Sequence, residues 1–235
     1  MKSSLLLSIP LSMFIYSNAT AHGNVTPQAM DTSNLPELGE EWLEENPWRD
    51  PSNENWQKAV NIGSSGYNEN CARCHGLEVV SGGIAPDLRL LSADSDGDEW
   101  YIERFRHGAT QNGITKMPGF ESILGQQAAW AIRTYVETRP ADDAFKDNQE
   151  TLFAIRDKLK VLGDAIEAGS NPADYAQLAT EAQKELADIG ATAKTASGAP
   201  LAESAVSRAA LALDGSPTSF AKAAEILTIG LSASK

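Results

Sequence analysis

The pattern of apolar and polar positions divides the chain into stretches of different character. Leu5 to Tyr16 is an apolar run broken by Pro10, preceded by Lys2 and followed by Ala19-Thr20-Ala21. A basic start, a short apolar segment and small residues at its end predict a secretory signal peptide over 1–21. The run is too short to span a membrane, and no later stretch could do so. Residues 22–55 lack helical periodicity and are rich in Pro, Asn and Glu. They read as an acidic arm that lies on the next domain through Trp42 and Trp48. From 56 onward the period becomes helical. Trp56, Val60, Gly63 and Tyr67 follow a 4-3-4 spacing, predicting an amphipathic helix over 56–70 whose Gly63 leaves room for a crossing helix. A second helix is expected over about 98–106, with Tyr101, Ile102 and Phe105 as its stripe. A third, over 126–138, presents Ala128, Ile132 and Tyr135 and can cross the first near Gly63 and Tyr67.

Residues 141–235 are alanine-rich and contain no Cys, His, Met or Trp. Leu152, Ile155, Leu159, Leu162 and Ile166 form one stripe; Tyr175, Leu178, Ala182, Leu186 and Ile189 form another. Asn171-Pro172 and Ser216-Pro217 are helix-start signals, and Gly169 and Gly215 are stops. Four helices are expected, at about 144–168, 172–194, 200–213 and 217–231, with chain neighbours packed antiparallel as a bundle. An aromatic follows each of the two prolines by three positions, at Tyr175 and Phe220, which hints at a repeated hairpin. The expected fold class is all-α: a helical domain over 56–140 followed by a C-terminal helical bundle over 141–235.

The chemistry centres on Cys71-Ala72-Arg73-Cys74-His75. Two thiols three positions apart, followed directly by histidine, form the pattern of c-type haem attachment. Cys71 and Cys74 can add to the haem vinyl groups, and His75 can supply the proximal imidazole. The chain has only 2 cysteines, both in this motif, so no disulfide framework is available, and a structural zinc site would need two more Cys or His ligands at suitable spacing. One covalent haem per chain is therefore expected. A ligating histidine usually donates its other ring N–H to an oxygen; the carbonyl of Pro86, in the Gly-rich loop 81–88, is the candidate acceptor. Met117, in Lys116-Met117-Pro118-Gly119, is the candidate sixth ligand, because the position before proline favours extended backbone in a loop. His107 is the rival. Arg104 and Arg106 are candidate partners for the haem propionates.

Asp94-Ser95-Asp96-Gly97-Asp98-Glu99 departs from a calcium loop, with Glu99 where glycine is needed, and reads instead as a helix start capped by Asp96 or Asp98. His22 would become the N-terminus if cleavage follows Ala21, without a second histidine nearby for copper. The bundle lacks the histidines of di-iron sites and shows no catalytic pattern. The formal net charge of −13 becomes one unit more negative once Lys2 is removed. Such a surface is repelled by nucleic acid and anionic lipid and is steered towards a basic partner.

Gly63-x-x-x-Tyr67-x-x-x-Cys71, then Cys74-His75, Met117-Pro118 and a closing aromatic helix together resemble class I c-type cytochromes. The chain is most similar to the PedF-type cytochromes c that serve quinoprotein ethanol dehydrogenases. That similarity rests on the stretches 22–29, Gly39-Glu40-Glu41-Trp42, 70–78, 82–88 and Arg106-His107-Gly108. It covers about residues 22–140. It implies a periplasmic carrier of single electrons, not an enzyme. The donor would be a pyrroloquinoline quinone-dependent alcohol dehydrogenase, and the acceptor a terminal oxidase or another cytochrome. Cys71 and Cys74 would hold the haem, and His75 and Met117 would ligate its iron. The alternatives are a haem enzyme (a peroxidase or gas-binding protein) with a labile sixth ligand, or a cytochrome subunit docked in a complex through its C-terminal helices.

Overall fold

The structure is a computed structural model that describes residues 26–233; the expected signal peptide and His22 lie outside these residues. The organising contact is between α1 (Trp56–Asn70) and α4 (Gln126–Glu137). Gly63 makes it possible: a Cβ at this position would lie 1.9 Å from the carbonyl oxygen of Ala131. Only a residue without a side chain lets the two backbones approach so closely. Tyr67 and Tyr135 then pack with ring centroids 5.5 Å apart.

The expected apolar face of α4 is too narrow a description. Every residue from Ala128 to Glu137 is buried. α1 covers one side, with Val60, Ala128, Ile132 and Tyr135 in a shared cluster. The N-terminal arm covers another, where Trp48 and Leu35 pack against Ala59, Trp130 and Ala131. The Gln126 side-chain amide donates to the carbonyls of Gly39, at 2.7 Å, and Glu41, at 2.9 Å. Arg49 and Arg133 pair with Asp98 at 2.7 and 2.8 Å, and Arg49 reaches Glu137 at 3.0 Å. The Asp98, Glu137 and Arg133 side chains are fully buried, so these charges must neutralise one another. The Asn46 backbone N–H donates to Asp98 at 2.9 Å, joining the arm to this network.

The helix expected over 98–106 begins earlier. α3 spans Ser95–His107 and is capped by Asp94, which accepts the Gly97 N–H at 3.0 Å. Neither Asp96 nor Asp98 is the cap, because Asp98 is needed by the two arginines. The chain after α3 is also not a plain loop. Ala109–Gln111 (β1) and Ile114–Met117 (β2) form an antiparallel hairpin. Asn112 and Gly113, at φ 52° and 75°, make the left-handed two-residue turn that matches strand twist.

The C-terminal helices are α5 (Gln149–Glu167), α6 (Ala176–Gly190), α7 (Ala205–Ala212) and α8 (Ser219–Ala233). They share one apolar cluster that includes Leu152, Leu159, Leu186, Val206, Phe220 and Leu227. Their packing order differs from the expected chain order. α6 meets α7 and α7 meets α8, but the principal neighbour of α5 is α8. Gly163 allows this, since a Cβ there would sit 3.1 Å from the backbone nitrogen of Ala221. Tyr175 and Phe220, the aromatics after the two prolines, meet edge-on at 6.4 Å.

Gly63→Ala should force α1 and α4 apart. A net loss of about 1–3 kcal/mol is expected by chemical denaturation, even though alanine is the better helix former by about 1 kcal/mol. Unchanged stability would contradict the close crossing.

Candidate haem site

α1 delivers the motif. Its last turn runs into Cys71, whose N–H donates to the Tyr67 carbonyl at 2.8 Å, and the chain continues as the single turn α2 (Ala72–His75). The His75 N–H donates to the Cys71 carbonyl at 2.9 Å, so this stretch is helical. Cys71, Cys74 and His75 therefore stand at i, i+3 and i+4, on one side of the turn. The residue before the motif is also fixed. Asn70 is buried, accepts the Gln28 N–H at 2.7 Å and donates to the Gly66 carbonyl at 3.1 Å.

His75 is buried, and its Nδ1 lies 2.9 Å from the Pro86 carbonyl oxygen. With the proton on Nδ1, this contact orients the ring and leaves Nε2 as the free lone pair. No described residue hydrogen-bonds Nε2. Burial holds the imidazole below its usual pKa, outweighing the Pro86 carbonyl and Asp87, which favour the charged form. A neutral, oriented imidazole is what a metal requires of histidine. Burial also pushes the Cys71 thiol up to about 12, with Cys74 a lesser cause. A thiol held in this state is a poor nucleophile for disulfide exchange. Among the described residues, no group of three or more His, Cys, Asp or Glu could hold a metal ion.

Met117 closes β2 opposite Ala109 in the hairpin. Its backbone is tightly held: a Cβ on Gly108, at φ 71°, would be 2.3 Å from the Met117 carbonyl oxygen. The Met117 side chain is half-buried and packs against the same apolar cluster as Cys71 and Leu91. Cys71 and Met117 thus both pack against that one cluster. Ile84, Leu90 and Ile114 lie well exposed on the segments that carry the motif, Pro86 and Met117. Thiols, an oriented imidazole, a thioether and uncovered apolar side chains form a donor set and surface that fit a haem.

The two candidate propionate partners are engaged elsewhere. Arg104 lies over Trp100 at 5.6 Å. Arg106 bonds Glu121 at 2.9 Å and lies over Trp42 at 4.9 Å. His107 is half-exposed and 3.8 Å from Glu103, within the acidic surroundings of α3. The sequence reading missed Arg89, which is buried after the Gly-rich loop. It bonds both oxygens of Asp87, the Asp142 carboxylate and, at 3.3 Å, the Pro140 carbonyl. The close Asp87/Arg89 spacing was the available signal.

Comparison with known proteins agrees with this arrangement. A family model described as cytochrome c oxidase, cbb3-type, subunit III matches residues 58–136. Cytochrome c550 of Pseudomonas aeruginosa is 50% identical over 137 residues, which are 58% of this chain and 94% of that protein. The chain belongs to the cytochrome c family. It is an electron carrier of that family, and the family implies haem c. This cytochrome also matches, more weakly, the quinohemoprotein alcohol dehydrogenases ADH IIB and ADH-IIG of Pseudomonas putida. The identities are 33% over 86 residues and 28% over 92, or 36% and 39% of this chain but 12% of each dehydrogenase. No solved structure matches. Among the described residues, no helix is long and apolar enough to cross a membrane.

Tyr67 links this family core to the motif, donating its hydroxyl to the Gly76 carbonyl at 2.8 Å. Tyr67→Phe should therefore cost the haem-loaded protein about 1 kcal/mol in chemical denaturation. Wild-type stability would show that the bond contributes nothing.

Proposed function

We propose that this cytochrome carries one covalent haem, held by Cys71 and Cys74 and ligated by His75 and Met117. In this reading it accepts single electrons from a pyrroloquinoline quinone-dependent alcohol dehydrogenase and passes them to a terminal oxidase or another cytochrome. Residues 1–21 export it to the periplasm. Residues 22–55 form the acidic arm, 56–140 the haem domain and 141–235 the helical extension.

The observation that carries the haem assignment is the His75–Pro86 contact. It fixes the imidazole and leaves Nε2 free, in a motif whose two thiols stand on the same side of the helical turn. When bound, the haem supplies a one-electron centre whose potential depends on its axial ligands and burial. The chain's own residues then do three things. His75 presents a neutral imidazole donor. Met117 presents a thioether from a strand held against Gly108. The apolar cluster around Tyr67, Leu88 and Phe105 keeps water from the site. Held by both His75 and Met117, the group would offer no position to a substrate, which favours electron transfer over peroxidase or gas-binding chemistry. Arg104 and Arg106 would have to leave Trp100 and Glu121 to meet the propionates.

The weak similarity to quinohemoprotein alcohol dehydrogenases supports the choice of donor. A segment of those enzymes resembles part of this chain, and a separate chain of that kind suits the same class of electron source.

Met117→Ala should lower the reduction potential and let the reduced protein bind carbon monoxide. An unchanged potential in spectroelectrochemistry would remove Met117 as the ligand. Reduction by a purified quinoprotein alcohol dehydrogenase should be fast at low ionic strength. It should slow about tenfold or more at high salt, because the acidic surface steers the encounter. No reduction by such an enzyme at any ionic strength would overturn the donor assignment.

A further inference from the structure

We infer that the C-terminal helices act as a clamp on the proximal side of the haem site, with Arg208 of α7 as the positioning residue. The inference rests on the reading of His75 as the proximal ligand. It concerns a part of the chain to which neither the motif nor that reading gives a role.

The chain leaves His75 through an unusual turn. Gly76 has φ 84°, and Glu78 and Val79 follow at φ 56° and 65°. Consecutive left-handed residues other than glycine are uncommon, and a β-branched residue such as Val79 rarely adopts this conformation. Surrounding structure must hold such a turn in place. On one side Tyr67 binds the Gly76 carbonyl, and Val79 is fully buried. On the other side, Arg208 grips the Glu78 carboxylate with both terminal nitrogens, at 2.6 and 3.2 Å. A guanidinium fork matched to a carboxylate fixes direction as well as distance.

A second tether meets the other end of the same loop. Arg89 holds Asp87, the residue after Pro86, and is itself held by the Pro140 carbonyl and Asp142. Segment 140–142 is tied in turn to the bundle: the Ala141 N–H donates to the Lys194 carbonyl at 2.8 Å. Around it, the Ala93 N–H donates to the Ser197 carbonyl at 2.9 Å, and the Ser197 hydroxyl donates to the Glu137 carbonyl. The loop that offers its carbonyl to His75 is thus gripped directly from the bundle at Glu78, by Arg208, and indirectly at Asp87, through Arg89 and its partners Pro140 and Asp142. Holding that carbonyl in place holds the His75 Nδ1–H bond, and a weaker bond makes the imidazole a poorer donor to iron.

The test uses the full-length haem-loaded protein and the charge-neutral pair Glu78→Gln/Arg208→Met. Hydrogen exchange should speed about tenfold or more for amides in 76–91 and stay unchanged in α1 and α4. The reduction equilibrium with a redox dye should move about threefold or more towards the ferrous form. Wild-type exchange in 76–91 would overturn the clamp. Faster exchange with an unmoved redox equilibrium would also overturn it, because the pair would then be purely structural. If the double variant takes up no haem, Arg208→Lys replaces it. This keeps the charge but loses the fork, and the same two changes are expected at smaller size; wild-type behaviour would contradict the clamp. Absence of haem from the wild-type protein would instead refute the proposed function.

Discussion

The near-contact of the α1 and α4 backbones at Gly63 and Ala131 is the constraint on which the rest of the molecule depends. It sets the angle at which α1 runs towards Cys71, and so where the haem motif begins. It also brings Tyr67 against Tyr135, and the Tyr67 hydroxyl then reaches the carbonyl directly after His75. A helix crossing normally fixes packing; here it also fixes the chemistry, because the motif is the continuation of one of the two helices.

A helix buried on all sides needs partners all round, and α4 takes them from distant parts of the chain. The arm supplies Trp48 and the cation of Arg49; the segment before α7 supplies Ser197. The buried charges make this arrangement specific rather than simply tight. Asp98 and Glu137 are tolerable inside only because Arg49 and Arg133 approach them, and Arg49 can do so only if the arm lies where it does. Acidic residues at exposed positions of the arm, such as Glu40, Glu41, Glu44 and Glu45, keep the outer surface negative. Burial and charge thus sort the arm into an inner face that locks the core and an acidic outer face.

Much of the fold was legible in the chain. The 4-3-4 spacing of α1 and the stripes of α5 and α6 are periodic signals, and each of these helices formed. What escaped notice had different causes. The hairpin was announced by Asn112-Gly113, whose left-handed preference is a strong short-range signal, but its strands are short and mostly exposed, so they carry no apolar alternation. Asp94, Asp96 and Asp98 look alike as caps in sequence; the buried arginines that claim Asp98 are visible only in space. The pairing of α5 with α8 follows from complementary surfaces at Gly163 and Ala221, which no periodicity encodes. In the candidate site, the motif and the Pro86 loop could be read from local spacing. The grip of Arg208 on Glu78 could not, because a pair 130 positions apart leaves no local trace.

The most direct measurement is the visible and near-infrared absorption of the purified protein, oxidised and reduced, with and without carbon monoxide. Ligation by His75 and Met117 predicts a low-spin haem spectrum with a methionine–iron charge-transfer band in the oxidised state and no response to carbon monoxide in the reduced state. A high-spin spectrum, or ready carbon monoxide binding, would contradict it, because the sixth position would then be open and the protein suited to ligand chemistry rather than electron transfer.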